Sequence, residues 1–595
     1  MSFFSAGRKF FAVPAAGCLL LCLAGSAVPA QSTDSRPTLE GFDSFAQQVL
    51  KDWKCAGFAV AVIEGGKVTY AKGFGSRDLK SNQPVTSKTL FAIGSSTKSF
   101  TVTSLGVLVD QGKLDWDKPL RGYLPDFQLM DQFATERMTP RDLVTHRSGL
   151  PRHDRMWFNS PFTRQEIFDR LRYLEPNKDF RTTFQYQNLM FMTAGMLAAH
   201  VAGMPWEDHV RKVILEPLGM SSTNFSVVDM QKSADHSQPY TIVKEQIREM
   251  PFRNIDTIGP AGSINSNVED MAKYVMMHMQ HGKGILSLKN SRDMQSPQMS
   301  IAGPSQENKE LGPESYGMGF FLTSYRGHYL VHHGGNIDGF SALVTFMPQD
   351  NLGMVILSNQ NGSRVPTVVS YDLYDRLLGL DQIDWTTRFK TQQERGRAGT
   401  EEAKKKGYTA QVQGTHPAHQ LADYTGDYES PAYGIASVTL ENGALNFRYH
   451  GNGGPLNHYH FEVFEVAERE LEPLSKEKVS FHTNLRGDVE SLSVPFEPNV
   501  KDIVFSRLAD QRMRETSFLQ PLTGVYQRGR GTVTVAMKDD RSITLTMAGQ
   551  PPVDLEPMRG TRFTIKGQNG SIVEFKGDDL VFYQANSVSM ATRKK

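Results

Sequence analysis

The chain has 595 residues, 39% of them hydrophobic and 22% charged, with a net charge of +1 at pH 7. These proportions are ordinary for a globular protein long enough to form several domains. The near balance of charge gives no reason to expect nucleic acid or an anionic membrane surface as a partner.

Residues 1–30 stand apart. Arg8 and Lys9 precede a mostly apolar run from Phe10 to Leu23, and small residues follow, ending Ala27-Val28-Pro29-Ala30. A basic start, a short apolar middle and a small-residue end read as a secretory signal peptide, so a secreted or periplasmic location is expected. Pro14 and Gly17 interrupt the run, which is shorter than the roughly 20 residues that span a bilayer, so no stable membrane anchor is expected. Cleavage after Ala30 would remove Cys18 and Cys22 and leave Cys55 alone, without an internal disulfide. Cys55 precedes an apolar run and reads as a small buried hydrophobe.

Phe58–Ile63 and Val68–Tyr70, joined by Glu64-Gly65-Gly66, predict a β-hairpin. A helical pattern runs from Thr97 to Gln111 and stops at Gly112. A second runs from Leu189 to Val201, ending near Gly203-Met204-Pro205, and a third from Trp206 to Ile214. Strands return late, at Gly319–Leu322, Tyr329–His332, Ala342–Met347 and Met354–Leu357. A sheet built from both ends of a segment, with helices between, is the α+β pattern of one large domain over residues 40–383. Residues 384–420 are charged, with little to bury, and read as an exposed helical linker. In residues 421–595 the segment Leu421–Tyr428 recurs 98 residues later as Leu519–Tyr526, matching at Leu, Thr, Gly and Tyr. Alternating strand residues follow each copy, so two β-meander units are expected to pair into one small barrel or sandwich, which removes exposed edges.

Three motifs carry chemistry. Ser95 and Lys98 are three apart at the start of a helix and therefore share a face, and the helix start favours an anion near Ser95. A serine hydroxyl needs a base, and a lysine serves only when neutral, which requires burial. Ser475 and Lys476-Glu477-Lys478 repeat the spacing without an apolar helix behind it. Tyr186-Gln187-Asn188 is the one Tyr-x-Asn of the chain, offering a phenol that can relay protons and an amide that can hold both the lysine and a substrate. His333-Gly334-Gly335 is the one His-Gly-Gly of the chain. It is expected to end the Tyr329–His332 strand, with glycines that let a substrate backbone approach. The N–H groups of Ser95 and Asn336 are the expected oxyanion hole. Zinc-ligand spacings and phosphate-binding glycine loops are absent from the sequence, so no cofactor is implied.

With Leu114–Pro119, Thr145–Pro151, Glu216–Met220 and Gly334–Phe340, these motifs give the sequence a resemblance to the serine β-lactamase and penicillin-binding superfamily over residues 45–375, on the class C and D-aminopeptidase/esterase side. The resemblance implies a β-lactamase/transpeptidase-like domain, an antiparallel sheet plus a helical subdomain, followed by an all-β, lipocalin-like barrel domain. It also implies an acyl-enzyme at Ser95, with Lys98 and Tyr186 in the base role, His333 in the third motif, and Asn188, Gly335 and Asn336 binding substrate. Class C β-lactamases carry lysine where this chain has His333, so weak or absent β-lactamase activity is expected. The expected function is a metal-independent serine hydrolase acting on a peptide, amide or ester, D-residue peptides included. The rival readings are a β-lactam-binding sensor with slow turnover and an inert scaffold. The sequence leaves homo-oligomerisation open.

Overall fold

The computed structural model describes residues 39–405, 411–568, 570–584 and 587–594; the leader read over 1–30 lies outside them. The predicted hairpin forms as Gly57–Glu64 and Lys67–Asp78. The first of these strands is buried along nearly its whole length because both its faces are covered. Ala59, Ala61 and Ile63 enter one core, while Phe58, Val60 and Val62 enter another. Period-two alternation makes one strand serve two apolar layers.

The strand belongs to a nine-stranded sheet whose neighbouring pairs are antiparallel. Gly57–Glu64 pairs with the late strand Leu352–Ser358, which is followed outward by Phe340–Met347, His328–Ile337 and Phe321–Tyr325. The helices Phe42–Asp52 and Val365–Leu377 cover one face. The helices Thr97–Asp110, Asn188–Ala202 and Val268–Met279 belong to the core on the other. Thr97–Asp110 is buried around nearly its whole circumference, polar residues included, so it is a central helix and not an amphipathic surface one. The predicted third helix becomes an α-turn at Trp206–Val210 running into a π-helical stretch at Arg211–Leu215.

Three expectations change. The strand carrying His333 runs from His328 to Ile337 and does not end at His332, because Gly334, Gly335 and Asn336 pair with Leu343, Ala342 and Ser341. The helix Trp385–Lys405 is not merely a spacer, since Trp385 and Phe389 dock against Tyr371 and Tyr325. Finally, the two repeats do not pair with each other. Each closes on itself as an eight-stranded barrel, one from Gly426–Ser430 to Ile503–Arg507, the other from Gly524–Arg528 to Ser587–Arg593.

The repeat itself explains the separate closure. Tyr428 and Tyr526 are fully buried and donate to the carbonyls of Tyr424 and Leu522, equivalent positions in the two units. Each tyrosine pairs across the closing seam with an arginine of the last strand, Arg507 or Arg593. Arg507 donates to Asp423 O and Thr425 O, and Arg593 to Pro521 O and Thr523 O. Eight strands suffice for side chains to fill the interior, so each unit removes its own edges. Cys55 is 5% exposed and its thiol is pushed up to about 12 by burial, as fits a packing residue. Among the described residues no single helix is long and apolar enough to cross a membrane.

Candidate active site

Ser95 sits in a 3-10 turn, Gly94–Ser96, that feeds the helix Thr97–Asp110. It is the one residue between Leu90 and Phe100 that is not buried. The next turn brings Lys98 Nζ to 3.1 Å from Ser95 Oγ. The amine also donates to Asn188 Oδ1 at 2.7 Å and to Ala261 O at 2.8 Å. Both of these partners are acceptors only, and a neutral amine has two N–H bonds to satisfy them, leaving its lone pair for the serine hydroxyl. Lys98 is 0% exposed. Burial, and then the Arg152 guanidinium, hold its amine well below the usual lysine range, against a smaller opposing pull from Asp154.

Asn188 begins the helix Asn188–Ala202. Its Nδ2 donates to Asp154 Oδ1 at 3.0 Å, which fixes the amide's orientation toward Lys98. Asp154 also accepts from Trp157 Nε1 at 2.8 Å and from Arg152 Nε at 2.5 Å. Tyr186 lies with its ring 4.8 Å from Lys98 Nζ and 5.1 Å from the Arg152 guanidinium carbon. Burial pushes its phenol above the ordinary range, partly offset by a hydrogen bond with Ser95 and the Arg152 charge. The ring packs 4.2 Å from that of His146, whose Nδ1 accepts from the Gln187 amide at 2.9 Å.

His333 enters the same cleft from the sheet. Its Nδ1 lies 2.6 Å from Gly334 O, an acceptor, so Nδ1 carries the proton and Nε2 accepts from the Tyr316 hydroxyl at 3.0 Å. Burial and the nearby Lys98 hold the imidazole down at about 3. His333 is thus a neutral, fully bonded ring and not a cation standing in for a lysine.

The strand and the serine turn touch backbone to backbone. Ser96 Oγ donates to His333 O at 3.1 Å. A Cβ at Gly335 would fall 1.8 Å from Ile93 O, and one at Gly94, whose φ is 49°, would fall 2.8 Å from the Asn336 nitrogen. Glycine at both places lets the amide edges of Ser95 and Asn336 converge. The Asn336 side chain serves a different purpose: it accepts from Ser341 Oγ and the Gly362 amide and so fixes the 359–363 loop. Gly335→Ala is therefore expected to lower the acylation rate of Ser95 about a hundredfold, because the clash is with backbone. Timed labelling of Ser95 checks it.

The cleft, of about 550 Å³, is lined by Ser95, Tyr186, His333 and the Gly334–Asn336 edge. A side cavity of about 200 Å³ continues past Ser95 to Asp154, Trp157, Phe158 and Ile258. A larger hollow of about 650 Å³ beside Cys55 contains no comparable set of acid–base groups. The folded chain thus gathers Ser95, Lys98, Tyr186, Asn188, His333, Gly335 and Asn336 at one place. Arg152, Asp154, Tyr316 and the Ala261 carbonyl escape the sequence motifs, while His146 falls within Thr145–Pro151 but is given no role there. Arg152 and Asp154 lie just past Thr145–Pro151, but nothing in their spacing marks them. Ala261 acts through backbone alone.

A sequence profile of the β-lactamase family matches residues 42–377. The chain belongs to the β-lactamase family. Unguisins hydrolase ungD of Aspergillus violaceofuscus (strain CBS 115571) is 30% identical over 449 residues, 69% of this chain and 78% of that protein. Unguisins hydrolase ungD' of Aspergillus campestris (strain IBT 28561) is 29% identical over 417 residues, 67% of this chain and 77% of that protein. The octameric penicillin-binding protein homologue from Pyrococcus abyssi shares the fold, with a TM-score of 0.51 and 24% identity over 78% of this chain and 99% of that one. The chain is a serine hydrolase of the β-lactamase superfamily. A second profile, described as a domain of unknown function (DUF3471), matches residues 410–507, the first barrel.

Proposed function

We propose that the protein is an exported hydrolase that cleaves an amide or ester bond, most naturally in a peptide, through an acyl-enzyme on Ser95. One observation carries this reading: a wholly buried amine, Lys98, 3.1 Å from the Ser95 hydroxyl, whose other two contacts both demand N–H donors. Lys98 takes the hydroxyl proton as Ser95 Oγ attacks the substrate carbonyl. The oxyanion forms against the amides of Ser95 and Asn336. Tyr186, protonated at rest, passes its phenolic proton to the leaving amine or alcohol and regains one from the Lys98 ammonium, so that Lys98 is again neutral. A water then attacks the ester carbonyl, giving a proton to neutral Lys98, which hands it to Ser95 Oγ as the acid leaves.

His333, being neutral, adds no charge to hold a substrate carboxylate; the guanidinium groups on the cleft are those of Arg152 and Arg364. Weak β-lactamase turnover follows from that neutrality. A fluorophosphonate probe, with the modified residue mapped by mass spectrometry, tests the reading. A single adduct on Ser95 is expected, and an adduct elsewhere, or none, overturns it.

A further inference from the structure

The segment 152–157 carries Arg152, Asp154 and Trp157 into the active site, yet much of its anchoring comes from outside the catalytic domain. His153 is a non-glycine residue at φ 48°, a left-handed conformation that persists only where the surroundings impose it. It is fully buried. Its backbone amide donates to Glu497 Oε2 at 2.8 Å. Its Nε2 lies 2.9 Å from Glu175 O and so carries the proton, which leaves Nδ1 to accept from the Tyr433 hydroxyl at 2.7 Å. Two residues on, Arg155 O lies 3.0 Å from the Tyr449 hydroxyl, and the Arg155 guanidinium donates to Pro473 O at 2.8 Å. Glu497, Tyr433, Tyr449 and Pro473 all belong to the first barrel. Glu497 and Tyr433 are 4% and 1% exposed, and among the described residues Glu497 has no lysine or arginine in ion-pair range. Its buried carboxylate faces the His153 amide and the Asn499 backbone and side-chain N–H groups.

We infer that the first barrel is a working part of the active site, with Glu497 and Tyr433 as positioning residues for the Arg152–Asp154 turn. The path is short. The barrel pins His153; the pinned turn points Asp154 at Asn188 Nδ2; Asn188 Oδ1 then holds Lys98 Nζ beside Ser95. Arg152, on the other side of His153, stands over the Tyr186 ring. The barrel, whose profile carries no assigned role, acquires one: it holds the turn that holds the catalytic amine. This inference rests on the reading of Ser95 as nucleophile.

The test uses the full-length protein, a fluorophosphonate probe for the labelling rate of Ser95 across pH, and hydrogen exchange across residues 152–157. Glu497→Ala is expected to slow labelling about tenfold, through loss of alignment. It should also move the pH profile toward alkali, as the loosened amine returns to ordinary lysine behaviour, and raise exchange at 153–157. Glu497→Gln keeps an acceptor for the His153 amide and should remain within about twofold of the parent. Tyr433→Phe removes one hydroxyl from a packed ring; it keeps the inference testable should Glu497→Ala fail to fold, and it should change rate and profile in the same direction. A folded Glu497→Ala or Tyr433→Phe protein that labels at the parental rate, with the parental pH profile and exchange, overturns the inference. Failure of the parent itself to label at Ser95 defeats the nucleophile reading instead, while the exchange result still decides whether the barrel fixes the turn.

Discussion

Lys98→Met is expected to reduce the acylation rate of Ser95 by about a thousandfold or more, the upper range of what a positioned general base contributes. Methionine is close to lysine in length and fits the same apolar walls, so the helix keeps its packing while the lone pair beside Ser95 Oγ is gone. No second base stands ready. The Tyr186 phenol is held protonated by burial, and both nitrogens of His333 are committed to Gly334 O and Tyr316. The same substitution carries a stability signature. The folded pKa of Lys98 lies below its unfolded value, so between the two the unfolded chain binds a proton that the folded chain lacks. Parental stability therefore rises with pH through that window, and the burial penalty is fully present below it. Lys98→Met removes that penalty at the expense of two stranded acceptors, Asn188 Oδ1 and Ala261 O. Its stability relative to the parent should accordingly fall as pH rises toward about 10, the unfolded lysine value. Urea midpoints of both proteins from pH 7 to 10 measure it. A flat difference would mean that Lys98 is an ordinary charged lysine, and undiminished Ser95 labelling would mean that another base operates.

How much of this was written in the sequence depends on the kind of signal. Ser95-x-x-Lys98 was legible because an i, i+3 pair on a helix needs no tertiary information to share a face. Tyr186, Asn188 and His333 were legible only as members of a set, since their convergence depends on the strand His328–Ile337 crossing the serine turn. Gly335 could be read as a close-approach position, but what approaches it is Ile93 O and the Ser95 turn, not substrate alone. Arg152 and Asp154 were invisible, because a charged Arg-His-Asp run looks like any solvated loop until a barrel some 300 residues later buries its middle residue. The barrels show the same limit. Repetition revealed two units, but the choice between pairing and self-closure lay in Arg507 and Arg593. These meet Tyr428 and Tyr526 from the far end of each unit, beyond the reach of local periodicity.

The second large effect is acid sensitivity. His146, His278 and His333 are 0–1% exposed. Burial is the first cause of the depressed pKa in all three, bringing His278 and His333 to about 3 and His146 well below its ordinary value. Each stays neutral in the folded chain but takes a proton near pH 6.5 once unfolded. Below that pH the unfolded state binds more protons, so stability falls as pH falls, and the loss continues until the folded pKa is reached. At pH 5 His278 and His333 each forfeit about 2 kcal/mol, roughly 4 together, and His146 adds to the loss in the same direction. That is comparable with the low end of a typical domain's whole stability, about 5–15 kcal/mol. The catalytic domain should therefore unfold between about pH 5 and 4, followed by far-UV circular dichroism and by urea midpoints at each pH. His278 supplies the control, because it stacks on Phe346 and meets Tyr274 and Phe320 edge-on, with one ring nitrogen unpartnered, and takes no part in the site. His278→Gln should lessen the loss at pH 5 by about 2 kcal/mol while leaving Ser95 labelling at pH 7 intact. A stability that holds level from pH 7 to 4.5 would mean that these rings reach water, and with it the dry surroundings that keep Lys98 neutral would be lost.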